Sequence, residues 1–125
     1  LITGETDQHR DAVFCEGGRL HSESHAMERE ANQQEGALYY PRLRLQQSDG
    51  SEHTKATMCR TADYKYVRRL YENDELYDLH ADPQELHNRI DDPQLTSVKH
   101  ALIDRMLTFY QETGDVVPHQ PDRRW

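Results

Sequence analysis

Two short links constrain this sequence more than anything else in it. Lys55–Thr61, Tyr64–Leu70 and Glu75–Leu79 each place aromatic, β-branched or large apolar residues at alternating positions, as a strand with one buried face requires. Ala62-Asp63 alone separates the first two runs, and the polar run Glu72-Asn73-Asp74 lies between the next two. A parallel return needs about a dozen residues or more, so links this short force antiparallel neighbours. The centre of the chain is therefore expected to be a β-meander.

Upstream, Asp11–Glu16 brings Val13 and Phe14 into a short strand, which Gly17-Gly18 ends by permitting positive φ. Leu1–Arg10 reads as a loop. His21–Gly36 has Met27 as its one large apolar group, so it is expected to be a polar loop or a solvated helix (21–36). Ala37–Leu45 regains aromatics, but Pro41 lacks an N–H, which predicts an edge or irregular segment. Gln46–His53, with Asp49-Gly50, reads as a turn.

Downstream, Asp82-Pro83 followed by Glu85 has the form of a helix start, predicting a short helix to about Ile90. Asp92-Pro93 repeats the signal and opens the longest helix. Leu95, Val98, Leu102, Met106 and Phe109 fall at steps of three and four on one face, widened by Ile103, Leu107 and Tyr110; Gly114 stops it. The tail 115–125 has two prolines and is expected to be extended. The fold class is thus α+β: a small antiparallel β-meander sheet packed against a C-terminal helix, a single subdomain spanning 1–125.

Composition narrows the function. The chain has 125 residues, with 23 acidic and 15 basic side chains and a net charge of -8. Such a surface argues against nonspecific binding to nucleic acid or anionic membranes, and no apolar run approaches the ~20 residues of a membrane span. Hydrophobic residues make up 34%, and glycine lifts the apolar share only to about 39%, below the usual ~45–50%. The core is therefore small. Phe14, Tyr39, Tyr40, Leu43 and Trp125 have no obvious partner within the chain, so self-association through them is expected. The chain begins at Leu1 and its first Met is Met27, which suggests a segment of a longer protein.

Few residues suggest chemistry. Cys15 and Cys59 each fall in a predicted strand, where a free buried thiol is the ordinary state. His21 and His25 have the i, i+4 spacing of paired metal ligands, but no third or fourth ligand follows at a recognisable spacing. Asp91-Asp92 and Asp74-Glu75 sit where Asp serves turns and caps. Arg68-Arg69 is expected to pair with Glu72 and Asp74 around the hairpin, and His80 and His87 to lie on the surface. No Ser/His/Asp set, phosphate loop, zinc spacing or nucleic-acid motif is present, and no catalytic residue is assigned.

The meander also carries a resemblance. Arg60, Thr61, Tyr64, Lys65 and Tyr66, then Glu75, Leu76, Tyr77, Asp78, Leu79, Asp82, Pro83, Glu85 and Asn88 fit the patterns R-T-x-x-Y-K-Y and E-L-Y-D-L-x-x-D-P-x-E-x-x-N. Nine fixed positions in fourteen residues make the second pattern specific. The stretch resembles the C-terminal end of the sulfatase family, within the alkaline-phosphatase-like superfamily, over about a quarter of the chain. Asp11–Arg19 and the final helix resemble their counterparts more loosely.

The resemblance implies the C-terminal subdomain of an alkaline-phosphatase-like α/β enzyme that hydrolyses sulfuric esters. It implies calcium and formylglycine for the parent enzyme, both in a missing N-terminal catalytic domain, and none in this fragment. A sulfated small molecule or glycan is the implied parent substrate. The fragment would buttress the cleft, help shape its substrate end and be inactive alone. Cys15-Glu-Gly-Gly-Arg19 has the Cys-to-Arg spacing of the formylglycine motif Cys-x-Pro-x-Arg, but Gly17 replaces its Pro, and a strand cysteine before a turn is the better account.

Arg42, Arg44, Lys55 and Arg60 lie on segments that the resemblance sets beside the cleft. They are the candidates for binding an anionic substrate, set against plain solvent-facing charge. Two other readings stand: a non-catalytic binding or interaction module, and part of a related phosphatase or phosphonate hydrolase. The residues upstream would separate them.

Overall fold

A computed structural model describes residues 10–21, 23, 35–46, 50 and 53–114. The extended tail expected over 115–125, with Trp125, lies outside them, as do most of the polar segment 21–36 and the side chain of Leu43.

Four strands form one sheet in the order β1-β2-β3-β4, all antiparallel: β1 (Val13–Gly17), β2 (Ala56–Arg60), β3 (Tyr64–Arg69) and β4 (Glu75–Asp78). The meander is therefore present, with the Asp11–Glu16 segment added as its fourth strand. Thr61 closes the first hairpin by accepting the Tyr64 N–H at 3.0 Å. Cross-strand register sorts the side chains into rows on two faces. Phe14, Cys59, Tyr66 and Leu76 form one row; Cys15, Met58, Val67 and Glu75 form the next, on the opposite face.

The first row is the core. Cys59, Tyr66 and Leu76 are at most 1% exposed. Against it packs α2 (Thr96–Thr113), through Leu102 and Met106, with Leu95 of the preceding 3-10 turn (Pro93–Leu95). Asp92 caps this start as expected, its side chain accepting the Gln94 N–H at 2.8 Å, and Gly114 closes the helix on the Tyr110 carbonyl. Tyr110 donates its hydroxyl to Thr57 Oγ1 at 2.8 Å, tying the last turns of α2 to β2. The wider stripe is only partly used, since Ile103 and Leu107 are exposed.

Several expectations change. Phe14 does have a partner: its ring stacks on Phe109 of α2, with centroids 4.1 Å apart and planes 8° from parallel. Tyr39 is exposed and Tyr40 half-buried. Ala37–Leu45 is not the edge or irregular segment expected, because Tyr40–Gln46 forms helix α1. Pro41 sits in its first turn, where a missing N–H costs nothing.

The short helix expected from Asp82 does not form. Asp82 Oδ2 accepts the His87 N–H at 2.7 Å, and Glu85 adopts φ 58°, which breaks a helical path. Beyond it, Asn88 Oδ1 accepts the Leu76 N–H at 3.0 Å and the Arg89 N–H donates to Leu76 O at 2.8 Å. The segment is thus drawn alongside β4, whose outer edge would otherwise lack partners. A helix cap and this clasp begin with the same residues, and the tertiary partner decides between them.

The cysteines also differ. Both are free, and Cys59 is buried, but Cys15 is exposed. Cys15 stands opposite Met58 and Cys59 opposite Phe14, so the two thiols leave opposite faces of the sheet. Gly18 shows why glycine ends β1: its φ is +76°, and a Cβ there would lie 2.0 Å from the Thr54 carbonyl oxygen.

Candidate functional site

The face of the sheet opposite α2 bears most of the charge. Val13, Arg60, Lys65 and Tyr77 form a cross-strand row on it. The left-handed backbone of Glu85 brings a carboxylate to this row. There Glu85 Oε2 pairs with Lys65 Nζ, while Oε1 lies 3.9 Å from Arg60. Lys65 Nζ also stands 5.7 Å from the centre of the Tyr77 ring. One strand position along, Glu75 accepts from Arg69 Nε at 2.5 Å and from the Tyr77 hydroxyl at 3.0 Å. Burial first, then Glu75, pushes the Tyr77 phenol up to about 12, so it remains a donor at neutral pH.

Thus most of the residues that define the sequence pattern are structural. Asp78 accepts the His80 and Ala81 N–H groups at 3.0 Å, Asp82 holds His87, and Asn88 ties Leu76 to the Asp74 carbonyl. Arg68 pairs with Asp74 as expected, whereas Glu72 accepts from the Thr54 hydroxyl at 2.9 Å. His80 and His87 are exposed, beside Asp63 and Asp82.

The four candidate substrate-binding cations fall into separate places. Arg42 and Arg44 lie exposed on α1. Lys55 precedes β2 and Arg60 ends it, both exposed; five residues of extended chain separate them by about 17 Å. Lys55 and Arg60 therefore cannot hold one sulfate group together. The sequence reading missed Lys65, Glu85, Arg69 and Glu75 as a network, although the alternation of Tyr64–Arg69 already places Lys65 and Arg69 on one face.

The groups that the resemblance implies for the parent do not fit these residues. Among the described residues, no three His, Cys, Asp or Glu side chains come together as metal ligands. Cys15 lies within β1 beside the apolar Met58 and Val67, and its Sγ makes one weak contact, with Glu16 O at 4.0 Å. Cys59 is buried, and that burial pushes its thiol up, away from a reactive thiolate. No described helix is long and apolar enough to cross a membrane.

Comparison with known proteins agrees with this architecture. The family described as N-sulphoglucosamine sulphohydrolase, C-terminal, matches residues 19–112, about three-quarters of the chain. The chain belongs to that family and is a sulfatase C-terminal region. It is 40% identical over 55 residues to an uncharacterised sulfatase, YidJ, of Escherichia coli (strain K12), covering 44% of this chain and 11% of that protein. In structure it is similar to the phosphonate monoester hydrolase of Agrobacterium radiobacter. The TM-score is 0.57 at 23% identity, over 88% of this chain and 19% of the hydrolase. The second likeness is one of fold alone: the hydrolase contains a region folded like this sheet and helix.

Proposed function

We propose that this chain is the supporting C-terminal part of an enzyme that hydrolyses sulfuric esters, and that it is inactive by itself. The match of residues 19–112 to the C-terminal sulphohydrolase family carries this reading. The chain's own chemistry supports the division of labour. Among the described residues, Asp78 and Asp82 serve turns, Asp92 a cap and Glu75 an ion pair, and burial pushes the Cys59 thiol up. The formylglycine nucleophile and calcium belong, in this reading, to the remainder of the parent polypeptide.

The role left to this chain is to buttress the cleft and shape its substrate end. Arg42, Arg44 and Lys55 are the cations we place toward an anionic substrate, a sulfated small molecule or glycan, whose oxyanion suits guanidinium and ammonium donors. Arg60, at the opposite end of β2 and beside Glu85, we place against protein.

The test is a substrate comparison with the full-length parent protein. Hydrolysis of an aryl sulfate well above that of an aryl phosphonate monoester supports the reading. The reverse preference would make the parent a phosphonate hydrolase, and no turnover of either would favour a binding module.

A further inference from the structure

On the face opposite α2, a hollow and a half-exposed, loosely paired cation lie in neighbouring rows. Cys15, Met58 and Val67 share one cross-strand row and, with Gly17 and Ala56, border a hollow of about 280 Å³. Small-molecule sites typically run to about 300–1,000 Å³ and converge several polar groups. This hollow is smaller and, although Thr54, Thr57 and Arg69 also border it, mostly apolar in its lining, so it suits a side chain protruding from another protein surface.

Among the described residues, the neighbouring row sets two cations against one counter-charge. Lys65 and Arg60 share the single carboxylate of Glu85, and Lys65 is the nearer. The Arg60 side chain is 50% exposed and lies 3.9 Å from Glu85, beyond hydrogen-bond distance. Arg69, by contrast, is matched by Glu75. One more carboxylate would complete this face.

The occupant follows from how little of a sulfatase this chain represents. It spans 11% of the curated relative and 19% of the structural one, and α2 already covers the other face of the sheet. We propose that the face opposite α2 docks on the remainder of the same sulfatase polypeptide. An apolar side chain enters the hollow between Cys15, Met58 and Val67, and a carboxylate meets Arg60. The inference rests on the reading of the chain as part of a larger enzyme, and it adds which surface makes the joint.

Cys15 is a built-in reporter, being exposed on this face, while Cys59 lies buried on the other. A maleimide is applied to this chain and to the full-length protein, and labelling of the Cys15 peptide is followed by mass spectrometry. Labelling of Cys15 should be rapid in the chain alone and slower by about tenfold or more in the full-length protein, since thiol reactivity follows exposure. Arg60→Glu in the full-length protein should restore part of the labelling, and Arg60→Lys should not. Equal labelling rates in an aryl-sulfate-hydrolysing parent would overturn the docking face and leave the enzymatic reading intact. Protection in a parent that is inert toward aryl sulfates would sink the enzymatic reading and keep the face. Protection in the chain alone that grows with its concentration would put a second copy there and overturn the proposed occupant.

Discussion

The hydroxyl of Tyr66 donates to Asp74 Oδ2 at 2.6 Å, from a side chain that is otherwise sealed in the core row. The same carboxylate accepts the Arg69 N–H at 3.0 Å and Arg68 at 2.8 Å. Burial alone would raise the Asp74 carboxyl; these donors outweigh it and hold the group below its ordinary value. In turn, burial and then Asp74 push the Tyr66 phenol up to about 12. A single carboxylate thereby fastens the β3–β4 turn to the core.

A pH dependence follows from that pair. A carboxyl whose value is lowered by folding stabilises the fold above its ordinary range, and that contribution is lost as pH falls through the lowered value. Asp82 and Asp92, also lowered, act with the same sign. Tyr66, being raised, contributes below its ordinary value of 10.0 and loses that contribution as pH rises through about 12. Asp74→Asn should lower stability near neutral pH by about 1.5–3 kcal/mol, as expected for hydrogen bonds to a charged group, and flatten the acid limb. Tyr66→Phe should flatten the alkaline limb. Denaturant melts across the pH range decide the matter, and an unchanged acid limb in Asp74→Asn would refute it.

The packing of α2 gives a second expectation. Leu102 lies in the interface, and Leu102→Ala should cost about 2–5 kcal/mol. Phe14 and Phe109 should show a coupling of about 0.5–1.5 kcal/mol in a double-mutant cycle, as stacked rings do. Additive single mutants would mean that the stack contributes nothing beyond its buried area.

The end of β1 offers a third. Gly18→Ala must both hold φ at +76° and clear a carbonyl oxygen 2.0 Å away, so it should destabilise by more than about 1 kcal/mol. Gly17→Ala meets nothing within 4 Å and should stay within about 0.5 kcal/mol. Equal effects at the two positions in thermal melts would contradict the close approach to Thr54.

What was legible in the sequence was what short-range chemistry decides. Two brief links dictated the meander, and Asp92-Pro93 with Gly114 bounded α2. Contacts distant in sequence were not legible. Phe14 finds Phe109 only once α2 lies across the sheet. Asp82-Pro83 reads as a helix start, yet Asn88 bonds to Leu76 and draws the segment along β4 instead. The strand pattern predicted a free buried thiol at Cys15 as at Cys59, but Cys15 leaves the face opposite α2 and is exposed. Among the cations, Arg60 was singled out but Lys65 was not, and the backbone turn at Glu85 that joins them has no local signal.

The division of labour between this chain and the rest of a sulfatase is tested most directly by steady-state turnover of an aryl sulfate by the 125-residue chain, with and without calcium. A Cys15→Ala variant and a heat-treated sample serve as controls. We expect no turnover above the heat-treated sample under either condition. Turnover by the chain that disappears in Cys15→Ala would make Cys15 a nucleophile and contradict a purely supporting role.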